Sequence, residues 1–363
     1  MKKQLFAALI AIVFIGSNAL AYYGPNDKSK KPTGKPKANC SPATAKYIME
    51  FNDVRALIEQ GGSMFQNRQN GVAAYEVPKG SNRFAIFAGA LWMGGTDVNG
   101  QLKLAALRYR AGNDFWPGPL SVTPGTGNYN PLFPVGDGAI RDFGEANIDP
   151  DQCIAYDQFY TIRKAEVIRF NIWWECQAGI TTECDDVQAP SNEELNRIYN
   201  WPAHGDVSKG QDYFLAPYYD RDQDGNYNPD NGDHPWYDDI LGRDDIQCGF
   251  DRRISLFGDE THWWVFNDKG NIHTETNGDP IGMEIRAQAF SFATNDEVNK
   301  MTFYNYELIN RGTQTLYDTY FAQYLDADVG NYADDYAGCD VSRGLGYMYN
   351  GDLNDENDGG KFG

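Results

Sequence analysis

The sequence predicts a mainly β protein of the sandwich type with a few short helical insertions, an α+β arrangement being the alternative. Three observations lead there. The last hundred residues carry four alternating or aromatic runs, 261–266, 282–292, 301–309 and 319–325, and turn residues such as Asn267-Asp-Lys-Gly270 and Asn310-Arg-Gly312 separate them. Two apolar runs, 83–92 and 101–109, flank Asp97-Val-Asn-Gly100, a hairpin signal. Aromatic residues make up 14% of the chain. Rings fit half-buried strands, so most of Trp116, Trp173, Trp174, Trp201, Trp236, Trp263 and Trp264 are expected in the core.

Taken in order, Lys2 and Lys3 precede an apolar run over 5–15 and the small-residue stretch Ala19-Leu20-Ala21. This is the pattern of a secretory signal peptide over residues 1–21. The run is too short for a membrane span, no later stretch reaches that length, and no cysteine follows the cut to take a lipid. Residues 22–39, with Pro25, Pro32, Pro36 and five lysines, read as a basic low-complexity linker. A β-rich extracellular region then fills 40–363, as one large domain or as two merged ones dividing near 200–240. Within it, Asn52 is placed to cap a short helix running through Val54, Ala56, Leu57 and Ile58 to Gly61-Gly62. The hairpin follows. Two further helices are predicted, one within about 161–174 and one from Ser191, where Ser191 and Glu194 form a capping box and Trp201-Pro202 ends the run. Because Gly359-Gly-Lys-Phe-Gly363 follows a loop with no closing strand, the chain reads as the front part of a longer protein.

The formal net charge is −20, and the lysines of the leader and linker leave the remainder more acidic still. Nucleic acid and anionic membrane surfaces are therefore poor partners. Six cysteines, Cys40, Cys153, Cys176, Cys184, Cys248 and Cys339, lie in the exported region, where an even count points to disulfides. Cys176 and Cys184 flank a short polar loop and are the one pair the spacing suggests. No CxxC occurs and the four histidines show no ligand spacing, which argues against zinc.

The most informative segment is Asp220-Arg-Asp222-Gln-Asp224-Gly225-Asn226-Tyr-Asn228-Pro229-Asp230-Asn-Gly232-Asp233. Carboxylates at alternating positions followed by a glycine wrap oxygens around a hard cation, and calcium takes six to eight of them. Asp220, Asp222 and Asp224 supply carboxylates, Gly225 the tight turn, and Asn226 and Asn228 further oxygens. The twelfth position is Asn231, where a helix-loop-helix calcium site has a bidentate glutamate, so Asp233 is the expected substitute. Pro229, Gly232 and Pro235 prevent a helix from leaving the loop, which is thus set into irregular or β structure. The simpler alternative is a solvated acidic turn. A second candidate is Asp326, Asp328, Asp334 and Asp335, spaced around Gly330 and ahead of Asp340; a third is Asp352, Asn354, Asp355, Asn357 and Asp358.

No GxSxG, HExxH or phosphate-binding glycine loop is present. Paired carboxylates are the one catalytic machinery the sequence offers, from Asp259 with Glu260 or from Glu284, Glu297 and Glu307, and they carry the alternative of a hydrolase acting on polysaccharide. The simpler reading places these acids on solvent-facing strand positions.

Several motifs together, Gln60-Gly-Gly-Ser-Met-Phe65, Tyr75-Glu-Val-Pro-Lys79, Phe87-Ala-Gly-Ala-Leu-Trp-Met-Gly-Gly95, Gly112-Asn-Asp-Phe-Trp-Pro-Gly-Pro119, the aspartate loop through Gly232-Asp-His-Pro235, Trp263-Trp-Val-Phe-Asn-Asp268, and Asp326-Ala-Asp-Val-Gly-Asn-Tyr-Ala-Asp-Asp335 with Gly338-Cys-Asp340, span about residues 45–355. In these motifs the chain resembles a group of large secreted proteins of Gram-negative bacteria that use the type IX secretion system. The resemblance implies an extracellular or outer-surface address, the type IX machinery as a partner, and a C-terminal sorting domain that this sequence does not show. It carries over no catalytic residues. The expected function is that of a calcium-stabilised β-rich protein with a structural, adhesive or polymer-binding role, its ligand an extracellular polysaccharide or cell-surface polymer.

Overall fold

The computed structural model describes residues 38–109, 112–122, 146–238 and 255–351, all within the unit Pro36–Gly363. The expected leader, nearly all of the linker, Cys248 and the acidic cluster after Asp352 lie outside these residues. Counting strands of four residues or more, four come first: β1 (Lys46–Met49), β2 (Arg55–Glu59), β3 (Phe84–Thr96) and β4 (Leu102–Ala105). The middle holds α1 (Pro150–Ala155), β5 (Tyr160–Arg163), α2 (Lys164–Gln177) and α3 (Asn192–Tyr199). Six strands follow: β6 (Glu260–Asn267), β7 (Met283–Ser291), β8 (Phe303–Asn310), β9 (Tyr317–Ala327), β10 (Asp335–Asp340) and β11 (Leu345–Asn350).

The predicted hairpin forms between β3 and β4, with Met93 opposite Ala105 and Thr96 opposite Leu102. Its turn is held by Asp97, whose Oδ1 accepts from the backbone N–H groups of Asn99 and Gln101, both at 2.9 Å, while Gly100 takes φ +72°. The capping box is also present: the Ser191 backbone donates to Glu194 Oε2 at 2.7 Å and Glu194 N–H to Ser191 Oγ at 3.3 Å. The helix expected from Asn52 is instead β2, paired antiparallel to β1 with Tyr47 opposite Ile58. Asn52 Oδ1 accepts from Val54 N–H at 3.1 Å, so this residue makes a tight turn into a strand and caps no helix. Ala56 through Glu59 are all buried, and a short run buried on both sides has no periodicity that separates strand from helix.

The strands build two main antiparallel sheets. The first runs β1–β2–β3–β9, with the two-residue strand Ser63–Met64 between β2 and β3 and with β4 on β3; the second runs β5–β6–β7–β8. Strand alternation assigns each side chain of the second sheet to one of two cores. Trp264 and Phe266 of β6 and Met283, Ile285, Ala287 and Ala289 of β7 meet Met49, Ile58, Met64, Leu91 and Met93 of the first sheet. Trp263 and Val265 point the other way, onto Val167 and Phe170 of α2, Ile198 of α3 and the segment from Trp201 to Tyr218. Every residue of β6 is consequently buried. Each large side chain so covered contributes on the order of 1.5–3 kcal/mol. The result is a sandwich with a third layer of helices and loops on the outer face of the second sheet, and the aspartate loop belongs to that layer.

Two disulfides are formed among the described residues. Cys176–Cys184 closes the polar loop that its spacing suggested, and Cys40–Cys153 ties the segment before β1 to α1. Among the described residues no helix is long and apolar enough to cross a membrane.

Candidate metal centre

The aspartate loop leaves the helical layer after Tyr218–Tyr219 and returns at His234–Pro235, two short strands paired antiparallel that close its neck. Across the neck Asp233, fully buried, accepts from Arg221 N–H through Oδ1 and from Asn228 N–H through Oδ2, both at 2.8 Å. Gly225 adopts φ +83° and donates its N–H to Asp220 Oδ2 at 2.8 Å. That turn is backed by Tyr218, whose hydroxyl donates to the Gly225 carbonyl at 3.0 Å. Next to it, Tyr227 N–H donates to His204 Nε2 at 2.8 Å. The loop is thus fixed from outside by the buried Tyr218 and the half-buried His204.

Inside it, Asp220, Asp222 and Asp224 each bring a carboxylate oxygen within 4.8 Å of the others, the one such cluster among the described residues. Asp220 Oδ1 is buried and accepts no hydrogen bond. Among the described residues no lysine or arginine pairs with the three. Arg221 lies between two of them in sequence, but its guanidinium is turned out over the Trp174 ring, 4.8 Å from the centroid, and onto Glu175 at 3.2 Å. Burial pushes the Asp220 carboxyl up, and the Asp222 charge adds to this. Asp233 is raised to about 6, first by burial and then by the charges of Asp220 and Asp222. Convergent hard oxygens, one of them buried without a donor, are the donor set of a cation that prefers carboxylates and carbonyls.

The other expected oxygen donors take definite places. Asn228 Oδ1 accepts from Asp230 N–H at 3.1 Å and caps the single turn Pro229–Asn231. The Asn226 side chain accepts from the Tyr213 hydroxyl. Asn231, in the twelfth position, donates to Asp222 Oδ2 at 2.7 Å and so braces a carboxylate of the cluster. Asp233 acts as the clamp of the loop neck through both oxygens, each of which keeps a second lone pair for further acceptance.

The second predicted group is not drawn into a comparable cluster. Asp326 ends β9 and accepts from the Tyr324 hydroxyl at 3.4 Å, while Asp335 Oδ2 accepts from Val329 N–H at 2.9 Å and shapes the intervening loop. Asp334 accepts from Gly351 N–H through its backbone carbonyl at 2.8 Å. Asp328 is raised by burial and by the neighbouring charges of Asp326 and Asp335, so these carboxylates share one acidic neighbourhood.

Of the acids weighed for catalysis, Glu284 is fully buried and not solvent-facing as alternation suggested. Glu284, Arg286 and Gln288 form the polar face of β7, and the helical layer covers that face. Glu284 accepts from Arg286 Nε at 2.9 Å, from Arg311 Nη2 at 3.0 Å and from Leu120 N–H at 3.0 Å. Asp212 Oδ2 receives Arg286 Nη2 and Arg311 Nη2, both at 2.9 Å. This ion cluster was not foreseen, because Asp212 and Arg311 are remote in sequence from β7. It anchors the segment whose next residue, Tyr213, holds Asn226 of the aspartate loop. Glu260 is likewise engaged, by Arg163 at 2.7 Å and His262 at 3.3 Å. Glu297 lies exposed in a short turn, and Asp259 accepts from Ala293 N–H at 3.0 Å.

The ion cluster sets a pH dependence. Burial opposes ionisation of Glu284, but Arg311 and Arg286 outweigh it and hold the carboxyl below its ordinary range; the same pair does so for Asp212. A carboxyl depressed in the folded state adds stability above its unfolded pKa and loses it as pH falls through the folded value. The stability gap between the wild type and Glu284→Gln is therefore expected to be widest above about pH 4.3 and to close in more acidic solution. Urea unfolding of both proteins across the acid range measures it; a gap that widens as pH falls contradicts this assignment.

No protein-family model, curated protein or solved structure matches the chain.

Proposed function

We propose that this chain is a secreted or cell-surface protein in which calcium fixes the aspartate loop, and that its role is structural, adhesive or polymer-binding. The observation that carries this reading is the convergence of Asp220, Asp222 and Asp224 within 4.8 Å, with the buried Asp220 Oδ1 lacking a donor. Two disulfides support an oxidising compartment. The leader pattern and the motifs shared with proteins of type IX secreting bacteria support export by that machinery to the outer surface. The loop sits at the rim of the helical layer and is braced through Tyr213 to the segment that the ion cluster holds, so a bound cation joins a surface loop to the body of the fold. Extracellular modules bind calcium at about 10⁻⁴ to 10⁻³ M. Occupancy then follows the calcium content of the surroundings.

Calorimetric titration of the chain tests this. Calcium should bind in that range, and the double substitution Asp222→Ala, Asp224→Ala should abolish the binding isotherm assigned to this loop. A titration identical for the two proteins overturns the assignment.

A further inference from the structure

We propose that one face of the β10–β11 hairpin is an aromatic platform for an uncharged polysaccharide. This names a surface and a ligand class for the polymer-binding role above and rests on that reading.

In the hairpin register Tyr336 stands opposite Tyr349 and Gly338 opposite Tyr347, so strand alternation puts the three tyrosines on one face. Their rings form a row. The Tyr336 and Tyr349 centroids lie 5.8 Å apart with 23° between the planes, and those of Tyr347 and Tyr349 6.1 Å apart with 34°. Glycines let two of the rings lie down. A Cβ on Gly338 would fall 2.4 Å from Cζ of Tyr347, and one on Gly351 would fall 2.3 Å from Cε2 of Tyr336. Those two rings are therefore pressed onto bare backbone, and all three are open to solvent, being 57%, 48% and 50% exposed for Tyr336, Tyr347 and Tyr349. A contiguous exposed aromatic patch of this kind marks an interaction site more often than a scattered surface residue does.

The charge of the face selects the occupant. Alternation adds Asp340 and Leu345, directly opposite one another, to the same side. Asp340 is turned back into its own turn: its Oδ1 accepts from Ser342 N–H at 3.1 Å and from the Ser342 hydroxyl at 2.7 Å, and Arg343 Nε lies 3.6 Å from Oδ2. The platform thus offers π faces with its one carboxylate already paired, on a chain of net charge −20. An anionic glycan is repelled by that overall charge, and among the described residues of the two strands a polycation finds no open carboxylate on this face. Neutral sugar rings match it, because their C–H faces stack on aromatic faces and the ring-to-ring spacing is of the order of one sugar unit.

The test is retention of the chain on insoluble cellulose, chitin and mannan, with affinity electrophoresis in alginate (anionic) and chitosan (cationic) alongside. The expected result is retention on at least one neutral glycan. The triple substitution Tyr336→Ala, Tyr347→Ala, Tyr349→Ala should weaken it roughly tenfold or more, and the matching triple phenylalanine variant should keep it. Should the alanine variant unfold, Gly338→Ala preserves all three rings but lifts Tyr347 off the backbone, and weaker retention is expected there too. Equal retention by the alanine variant or by Gly338→Ala, or binding confined to chitosan, overturns the platform. A chain that shows calcium binding at the aspartate loop and is retained on no neutral glycan also overturns it, and leaves the calcium reading standing.

Discussion

Replacing Glu284 by alanine should lower the stability of the fold by about 3–5 kcal/mol, the range found when one member of a buried charge cluster is removed. Glu284 answers two guanidinium groups, Arg286 at 2.9 Å and Arg311 at 3.0 Å, and Arg311 is 1% exposed. Without the carboxylate, Asp212 is left to answer both arginines, with Glu307 3.9 Å from Arg286, and the nearly fully buried Arg311 loses its buried partner. The same substitution also removes the acceptor of Leu120 N–H, which adds an unsatisfied buried donor. Replacing Glu284 and Asp212 together with Arg286 and Arg311 by apolar residues of similar volume should cost much less than Glu284→Ala alone, because burying an ion cluster consumes most of what its attraction returns. Equilibrium denaturation of the single and quadruple variants measures both quantities. A loss below about 1 kcal/mol for Glu284→Ala, the size of a surface ion pair, contradicts the burial of this cluster.

The sheet architecture was legible because it rests on local signals. Asp97-Val-Asn-Gly100 specifies the β3–β4 turn, Ser191 with Glu194 specifies the start of α3, and the alternation over residues 261–325 specifies β6 to β9. The spacing of Asp220, Asp222, Asp224 and Gly225 gave the candidate site for the same reason, since one loop contains its carboxylates and its turn. What failed was whatever depends on remote partners. Ala56-Leu57-Ile58 is a strand because β1 on one side and the short strands Ser63–Met64 and Tyr75–Glu76 on the other enclose it, and nothing in those residues alone separates that from a helix. The polar face of β7 looked solvent-facing because alternation reports which side chains are polar and not what covers them. Only folding brings Asp212 and Arg311 to it. Asp233 was expected as a ligand from its position, and its two backbone hydrogen bonds across the loop neck emerge only when the neck is closed.

The second large effect concerns calcium. A cation that binds only the folded state, at a concentration a hundredfold above its dissociation constant, adds about 2.7 kcal/mol. Here that energy enters where like charges converge: Asp220, Asp222 and Asp224 bring oxygens within 4.8 Å of one another, and Asp233 stands behind them with its carboxyl raised to about 6. Neutralising two of the three by Asp222→Ala, Asp224→Ala removes the repulsion together with the site. In chelator the variant should therefore be at least as stable as the wild type, whereas in excess calcium it should be clearly less so. This crossing of order separates a cation site from an acidic turn, for which the variant keeps the same rank in both conditions.

The thermal unfolding midpoint of the wild type and of Asp222→Ala, Asp224→Ala, each in excess calcium and in chelator, is the most direct measurement of the central claim. A calcium-dependent rise of several degrees in the wild type, absent from the variant, is the predicted result. Equal midpoints for the wild type with and without millimolar calcium would contradict the claim and leave the aspartate loop a solvated turn.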